Sequence, residues 1–469
     1  MSAPLWTAEV AANVTGGHLE GGEWTATGVS IDSRSLDAGD LFVALTAERD
    51  GHQFAPAAMK AGAAAALVSR ADACEGPRLV VDDVMEALSK LAIASRDRSD
   101  ARRIAVTGSV GKTSVKEWIA ASLREAGQAH WSVKSFNNHW GVPLTLARMA
   151  QTTEHAVFEM GMNHAGEIRP LSRLVQPHVA LITRIAPAHL ENLGSMEAIA
   201  DAKSEIFEGM APDAVAVIPS DDAYYDRLAS KVMKSRAAFL FGFGAARDAA
   251  VRLERFDDAP DGGRGRLNVL GRLVDFKLAA SGAHQGLNAA AVMAACVAAG
   301  LEAEQVVAAL ERQTAAAGRG ASFTLSLPEG GEAVIVDDSY NANPVSMTAA
   351  LDSLSKRQPR GQGRRIAVLG EMLELGLDSA GMHGALAEPV VQAGVSRVIA
   401  VGRLMQSLLD ALPKSVTGQS ARSADSALEI LIDELHDGDV VLIKGSNASG
   451  VHKIVSSLRE GRLAARSNA

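Results

Sequence analysis

The chain has 469 residues, of which 47% are hydrophobic and 22% are charged, and its formal net charge is −9. This length exceeds what one hydrophobic core usually serves, so we expect several domains. The negative net charge argues against a nucleic-acid partner, and any anionic ligand must be bound by locally concentrated cations.

Neither the N-terminus nor any apolar run indicates export or membrane insertion. Residues 1–10 lack the basic and apolar regions of a signal peptide, and the apolar run at 289–299 is too short to cross a bilayer. Cys74 and Cys296 form no CxxC pair, which predicts two small buried side chains in a reducing compartment. We therefore expect a cytoplasmic protein. A monomer is the working expectation, although the sequence does not fix the oligomeric state.

Two stretches without apolar periodicity divide the chain. Residues 95–103 are highly charged, and residues 315–322 are mostly small. If both are flexible linkers, the domains are residues 1–98, 99–318 and 319–469, each of ordinary domain size.

The predicted elements alternate between short apolar runs and helical patterns. The first segment predicts a small α/β unit from residues 28–45 and 57–68. The middle and last segments predict an α/β fold with helices covering parallel sheets, and residues 246–280 predict an antiparallel excursion. The predicted strands are residues 104–106, 155–159, 179–185, 214–218, 333–337, 365–369, 397–401 and 440–444.

A glycine-containing turn between a strand and a helix predicts a phosphate site. Backbone N–H groups of such a turn converge on one point, which suits a polyphosphate. Lys112 would neutralise the β- and γ-phosphates, and Thr113 would offer a hydroxyl to Mg²⁺. The longer P-loop pattern requires glycine where this chain has Val106. The turn itself comprises Gly108, Ser109, Val110, Gly111, Lys112, Thr113 and Ser114.

Five further segments, together with this short P-loop, resemble the Mur ligase family and fall in that family's order. They span nearly the whole chain. They are Asp32-Ser-Arg34, Phe158-Glu-Met-Gly-Met-Asn163, Ala186-Pro-Ala-His189 with residues 202–207, His284-Gln-Gly-Leu-Asn288, and Gly318-Arg319 with residues 336–344. The resemblance implies a UDP-binding N-terminal domain, a central P-loop ATPase domain and a Rossmann-like C-terminal domain.

The resemblance also implies an activity. Mur ligases use ATP to form amide bonds on UDP-linked cell-wall precursors through an acyl phosphate. Residues 339–344 (SYNANP) and 135–143 resemble the type that joins D-alanyl-D-alanine to UDP-N-acetylmuramoyl-tripeptide. Whether the third residue of that tripeptide is diaminopimelate or lysine stays open. Asn447 stands where a basic residue is expected, which leaves the role of the loop at 444–447 open.

Five residues are the implied catalytic and metal-binding set. Lys112 and Glu159 would serve the phosphates and Mg²⁺, expected as two ions, with Thr113 and His189 as further ligands. Lys203 sits on a helical pattern, where lysines are usually solvated. The resemblance instead implies a carbamate formed from its neutral amine and CO₂, which burial would favour.

The remaining implied contacts divide between nucleotide and substrate. Asn288, one turn after His284, would bind adenine, and Arg319 and Asp338 would reach ATP from the last domain. Ser33 and Arg34 resemble the UDP-recognition element, although a loop arginine making only surface contacts is an alternative. The substrate candidates are Asn137, Asn138, Asn163, Asn341 and Asn343.

Other functions fit parts of the pattern. A sister ligase that adds a diamino acid, or one that extends folate with glutamate, would share most of these motifs. A P-loop switch protein would share the phosphate loop, although a guanine-reading N-K-x-D motif is absent. Because the implied ATP site draws on all three segments, we also expect the domains to close around bound ligands.

Overall fold

The computed structural model describes residues 4–133, 135–259, 262–315 and 317–461. Parts of the predicted N-terminal segment (1–3), the antiparallel excursion (260–261), the second linker (316) and the last domain (462–469) lie outside the described residues. Within the described ranges the fold is α/β, with a sheet in each of three successive regions, as predicted.

The N-terminal region carries a five-stranded sheet in the order β2-β7-β6-β5-β4, in which only β2 runs antiparallel to its neighbour. Strands β1 and β3 form a separate antiparallel pair. The elements are β1 (Trp6–Thr7), α1 (Ala8–Thr15), β2 (His18–Glu20), β3 (Thr25–Ala26), β4 (Gly28–Ser30), β5 (Asp40–Val43), α2 (Ala55–Lys60), β6 (Ala65–Val68), β7 (Arg78–Val80) and α3 (Val84–Asp97).

The central region is built on a nine-stranded sheet in the order β16-β15-β14-β13-β12-β11-β8-β10-β9. Strands β8 to β14 pair in parallel, and β14–β16 form the predicted antiparallel excursion. The elements are β8 (Arg102–Thr107), α4 (Lys112–Ala126), β9 (Ala129–Trp131), α5 (Gly141–Ala147), β10 (His155–Glu159), α6 (Ile168–Val175), β11 (Val179–Ile182), α7 (Leu190–Leu193), α8 (Met196–Ser204), β12 (Ala214–Pro219), α9 (Tyr225–Val232), β13 (Ala237–Gly244), β14 (Val251–Ala259), β15 (Gly262–Val269), β16 (Arg272–Leu278), α10 (Ala283–Ala298) and α11 (Ala303–Arg312).

The C-terminal region carries a six-stranded sheet in the order β17-β18-β22-β19-β20-β21, parallel except at β17. Its elements are β17 (Ala321–Ser326), β18 (Glu332–Asp338), α12 (Pro344–Ser355), β19 (Arg365–Gly370), α13 (Ser379–Gly384), α14 (Ala387–Gln392), β20 (Arg397–Val401), α15 (Gln406–Ala411), β21 (Thr417–Ala421), α16 (Ala424–Glu434), β22 (Val440–Lys444) and α17 (His452–Arg459).

The predicted strands were located well because fully buried parallel strands read as continuous apolar runs. Strands β10, β20 and β22 have the predicted bounds, while β11 ends at Ile182 rather than at residue 185. Both cysteines are buried and unpaired, as predicted. No helix in the described ranges is long and apolar enough to cross a membrane.

The prediction of a flexible linker at residues 95–103 is wrong. Helix α3 continues to Asp97, β8 begins at Arg102, and Arg103 is buried. Arginine side chains in this stretch donate to backbone carbonyl groups. Arg98 donates to Leu5 O at 2.8 Å and Arg103 donates to Val175 O at 2.8 Å.

The N-terminal and central regions share one hydrophobic core. Trp6 and Leu88 belong to the same buried cluster as Leu144 and Phe158. The Trp6 indole N–H donates to Ala147 O at 3.0 Å across this contact. The expectation that all three regions move freely therefore does not hold for the first two, because separating them would expose a common core.

The second predicted linker is likewise ordered where it is described. Strand β17 begins at Ala321, inside the predicted linker. The Gly318 N–H donates to the Asp337 carboxylate at 2.8 Å and Gly320 N–H donates to Asp337 O at 2.8 Å. Residues 318–320 are thus bound to the C-terminal sheet.

Candidate active site

The P-loop follows β8 and leads into α4, as predicted. Gly108 has a φ of +148°, and a Cβ there would lie 1.9 Å from Thr183 Oγ1. Gly111 has a φ of +81° and precedes the first residue of α4. Both positions therefore require glycine. Lys112 Nζ donates to Gly108 O at 2.7 Å, so the ammonium lies over the loop.

A cavity of about 450 Å³ lies between the central and C-terminal regions and includes the P-loop in its wall. The carboxyl ends of parallel strands β8, β10 and β11 converge here, which is where open α/β sheets form ligand sites. The predicted residues that line it are Ser109, Val110, Gly111, Lys112, Thr113, Ser114, Asn137, Glu159, Asn163, His189, Asn288, Arg319, Asp338, Asn341 and Asn343.

Glu159, at the end of β10, is only 1% exposed, so it is no solvated strand end. Its Oε1 accepts a hydrogen bond from Asn137 Nδ2 at 2.7 Å. Its Oε2 is buried and has no hydrogen-bond partner among the described residues. A buried carboxylate oxygen without a donor is costly, and a hard divalent cation would satisfy it. Glu159 therefore fits the predicted Mg²⁺ role.

His189 contacts the C-terminal region. It has a left-handed backbone with φ of +58°, and its Nδ1 lies 2.5 Å from Oε2 of Glu374, whose φ is +61°. Burial lowers the pKa of His189, with Lys203 and Lys112 adding to this shift and Glu374 opposing it. Low pKa keeps the imidazole neutral, which is the form that binds a metal.

Lys203, on α8, is not among the described residues that line the cavity. The side chain is 1% exposed, which excludes the solvated alternative. Burial holds the pKa of its amine well below the usual value, and the nearby charge of Lys112 lowers it further. In the described part of the chain, no three His, Cys, Asp or Glu side chains gather as a metal site. A carbamate formed on Lys203 would add an anionic ligand of a kind outside these four residue types.

The C-terminal region supplies the opposite wall of the cavity. The Arg319 guanidinium stacks 4.1 Å above the centre of the Tyr340 ring. Asp338 is paired with the buried Lys444, with 2.6 Å between Oδ2 and Nζ. Lys444 also donates to Asn341 O at 3.0 Å. These contacts fix the chain segment after β18 to the C-terminal sheet.

Several predicted residues have a local structural contact. Asn138 Oδ1 accepts from the Gly141 N–H at the start of α5, and Asn343 Oδ1 caps α12 by accepting from Ser346 N–H. Asn288 Nδ2 donates to Gln285 Oε1 at 2.9 Å. These contacts use part of each amide, so any ligand contact must use the rest.

Ser33 and Arg34 lie away from the cavity. The Arg34 side chain is 87% exposed and pairs with Asp32, with 2.7 Å between Nη2 and Oδ2. This contact of Arg34 is a surface contact, which is the alternative given for a loop arginine. The UDP-binding role of Ser33 and Arg34 stays a prediction. Gly108 and Asn138 also lie outside the cavity wall, each adjacent in sequence to a residue within it.

Four further residues of the site were not predicted from the sequence. Thr183, at the end of β11, donates from Oγ1 to Val110 O at 2.6 Å and so supports the P-loop. Tyr340 lies within the SYNANP segment, and its place between predicted site residues could have identified it from the sequence. Gln285, Tyr340 and Lys444 also line the cavity.

Known protein families match this chain in the same three regions. Residues 25–96 match the Mur ligase family catalytic domain, residues 106–296 match the Mur ligase middle domain, and residues 325–447 match the Mur ligase glutamate ligase domain. UDP-N-acetylmuramoyl-tripeptide–D-alanyl-D-alanine ligase of Escherichia coli K12 is 36% identical over 454 residues, covering 96% of this chain and 97% of that protein. The chain belongs to the Mur ligase family.

Solved structures agree with this membership. A crystal structure of MurF from Acinetobacter baumannii has a TM-score of 0.84 at 29% identity, covering 98% of this chain and 99% of that one. MurF ligase from Thermotoga maritima, in complex with ADP, has a TM-score of 0.76 at 26% identity, covering 94% and 98%. In this Mur ligase, the middle-domain match contains the P-loop, Glu159, His189, Lys203 and Asn288.

Proposed function

We propose that this Mur ligase uses ATP to join D-alanyl-D-alanine to UDP-N-acetylmuramoyl-tripeptide, giving the UDP-linked pentapeptide of peptidoglycan synthesis. The observation that carries the proposal is the shared cavity. It brings the P-loop and Glu159 together with Asp338 and residues 340–343 of the SYNANP segment. The Escherichia coli ligase named for this activity is 36% identical to this chain over 96% of its length.

The first chemical step would activate the tripeptide. Its terminal carboxylate attacks the γ-phosphorus of ATP, the bond to the β-phosphate oxygen breaks, and ADP leaves. Lys112, at the start of α4, would lie on the transferring phosphate and stabilise its charge. Arg319 would add a second cation from the C-terminal side. Lys112 and Arg319 both line this cavity.

The second step would form the amide bond. The neutral amine of D-alanyl-D-alanine attacks the acyl carbon, the bond between that carbon and the phosphate oxygen breaks, and the amine's proton leaves with the inorganic phosphate. The residues around the acyl group must hold both reactants in line and exclude water, because water would hydrolyse the acyl phosphate. Asn137, Asn163 and the Asn341–Asn343 segment are our candidates for these contacts, since they line the cavity.

Mg²⁺ and a carbamate on Lys203 belong to the same proposal. Glu159, Thr113 and His189 would hold the cations, which would neutralise phosphate charge. The unpartnered Glu159 Oε2 supports this role. The low pKa of the buried Lys203 supports the carbamate, because the neutral amine is the form that reacts with CO₂.

An ADP-release assay tests the function. The enzyme is incubated with ATP, Mg²⁺ and UDP-muramoyl-tripeptide, with and without D-alanyl-D-alanine, and the product is identified by mass. We expect ADP release to depend on both substrates. Turnover with a single diamino acid or glutamate instead would identify a sister ligase, and hydrolysis without any acceptor would favour a P-loop switch. Comparing tripeptides that end in diaminopimelate and in lysine determines which acceptor is preferred.

A further inference from the structure

Helix α4 carries a second buried lysine that the proposed chemistry does not use. Lys116 lies one turn after Lys112, and its side chain is 0% exposed. Burying an ammonium costs free energy unless hydrogen bonds and opposite charge compensate. Its Nζ donates to Ser132 O at 2.7 Å and also to the half-exposed Glu117 carboxylate. This lysine therefore joins the P-loop helix to the end of β9.

Ser132 connects that contact to the metal-binding candidate. The residue is 0% exposed, and its backbone N–H donates to Val157 O on β10 at 3.3 Å. Its Oγ accepts from the Glu159 backbone N–H at 3.3 Å. One serine thus bonds through its carbonyl to Lys116 and through its hydroxyl to Glu159.

Glu159 has a further contact, through its carboxylate. Asn137 donates through Nδ2 to Glu159 Oε1 at 2.7 Å, and its carbonyl accepts from Gly161 N–H at 2.8 Å. A Cβ at Gly161 would lie 2.8 Å from the Asn137 side chain, so the approach leaves little freedom. Glu159 is held at both its backbone and one carboxylate oxygen, and its other oxygen has no hydrogen-bond partner among the described residues.

We infer that Lys116 is a positioning residue for Glu159. By fixing Ser132 to α4, it holds the hydroxyl that accepts from the Glu159 backbone N–H, and thereby the orientation of the Glu159 side chain. The inference rests on the proposed function only in that Glu159 binds the cation that accompanies ATP. It predicts a defect specific to Mg²⁺-dependent nucleotide binding, which can be measured without either amide-forming substrate.

The test compares Lys116→Met with the wild-type enzyme. Methionine keeps the length of the side chain and removes its donor and charge. Binding of a non-hydrolysable ATP analogue is measured by calorimetry without divalent cation and at increasing Mg²⁺. We expect the half-saturating Mg²⁺ concentration to rise at least about fivefold, with cation-free affinity changed less than about twofold. Lys90→Met is the matched control, because Lys90 donates to Thr15 O in the N-terminal region; it should change neither quantity.

A double-mutant cycle separates positioning from a general structural role. In a Ser132→Ala background the effect of Lys116→Met on Mg²⁺ dependence should fall below about twofold, since the hydroxyl that connects Lys116 to the Glu159 backbone is already absent. A full effect in that background, an unchanged Mg²⁺ dependence, or an equal loss of cation-free affinity would overturn the inference. If Lys116→Met does not fold, Ser132→Ala must show the same Mg²⁺-specific shift, and its absence overturns the inference. Absence of ATP-analogue binding by the wild-type enzyme would contradict the proposed function instead.

Discussion

Tyr340 Oη lies 2.5 Å from Ser135 Oγ, which joins the SYNANP segment of the C-terminal region to the central loop that carries Asn137. The contact crosses the cavity mouth and is made only when the two regions are together. Arg319 stacks on the same tyrosine ring. We therefore predict that closure of the C-terminal region brings Arg319 and the loop that carries Asn137 into place together.

We predict that ligands stabilise this closed arrangement of the C-terminal region. A ligand that contacts both regions must favour the state in which both are near it. The radius of gyration in solution scattering should fall when an ATP analogue and UDP-tripeptide are both present. It should fall less in Arg319→Ala, which lacks a contact on the C-terminal side. An unchanged radius in every state would mean that the site is preassembled.

The N-terminal region should not take part in that movement. Hydrogen exchange of Trp6 and its neighbours should be unaffected by ligands, because their contacts lie in the core shared with the central region. Ligand-dependent exchange at this contact would contradict the shared-core interpretation.

Lys112→Ala should lower kcat/KM at least about a hundredfold, a loss of roughly 2.7 kcal/mol in transition-state stabilisation. Among the described residues, the Lys112 side chain makes a single hydrogen bond, to the backbone oxygen of Gly108 in the P-loop. The melting temperature should therefore change little. Steady-state kinetics and thermal melting of the same preparation check both statements, and near wild-type turnover would exclude this loop as the catalytic phosphate site.

Lys203→Ala should be nearly inactive if the buried amine carries a carbamate. Short carboxylates such as acetate should partly restore turnover by replacing the lost anion, and they should not rescue Lys112→Ala. A high-resolution crystal structure should show density beyond Nζ of Lys203. Normal activity of the alanine variant, or an unmodified amine in the active enzyme, would refute the carbamate.

His178 should make stability depend on pH. Burial, with the charges of Arg103 and Arg102, lowers its pKa from 6.5 to about 4, and its Nδ1 accepts from the Arg103 N–H at 3.1 Å. Between pH 6.5 and about 4 the unfolded chain binds a proton that the folded chain does not. The free energy of unfolding should therefore fall as pH falls through this range.

His178→Asn keeps an acceptor in a similar place and removes the titration. Chemical denaturation at pH 7, 5.5 and 4.5 should give a smaller loss of stability in this variant than in the wild-type protein. Some loss should remain, because His130 is also buried with its pKa lowered to about 4. Identical pH dependence in both proteins would contradict the assignment to His178.

The sequence by itself determined the elements and the chemistry of local motifs. Strands such as β10 and β20 were found because a buried parallel strand needs a continuous apolar run. The P-loop was found because its glycines and lysine are adjacent in sequence, and each residue's role follows from the turn that they form. The same holds for Glu159, which directly follows the apolar run of its strand.

Only the tertiary structure decided which side chains are buried, and with what partners. The charged stretch at residues 95–103 predicted a linker. In the structure, Arg98 and Arg103 instead donate to carbonyl groups of residues distant in sequence, and no local pattern encodes such partners. The burial of Lys203 and Lys116 was equally hidden, since a helical lysine is solvated or enclosed according to what packs against its helix. The contacts of Tyr340 with Ser135 and of Glu374 with His189 exist because two regions meet, which is a property of the assembled chain.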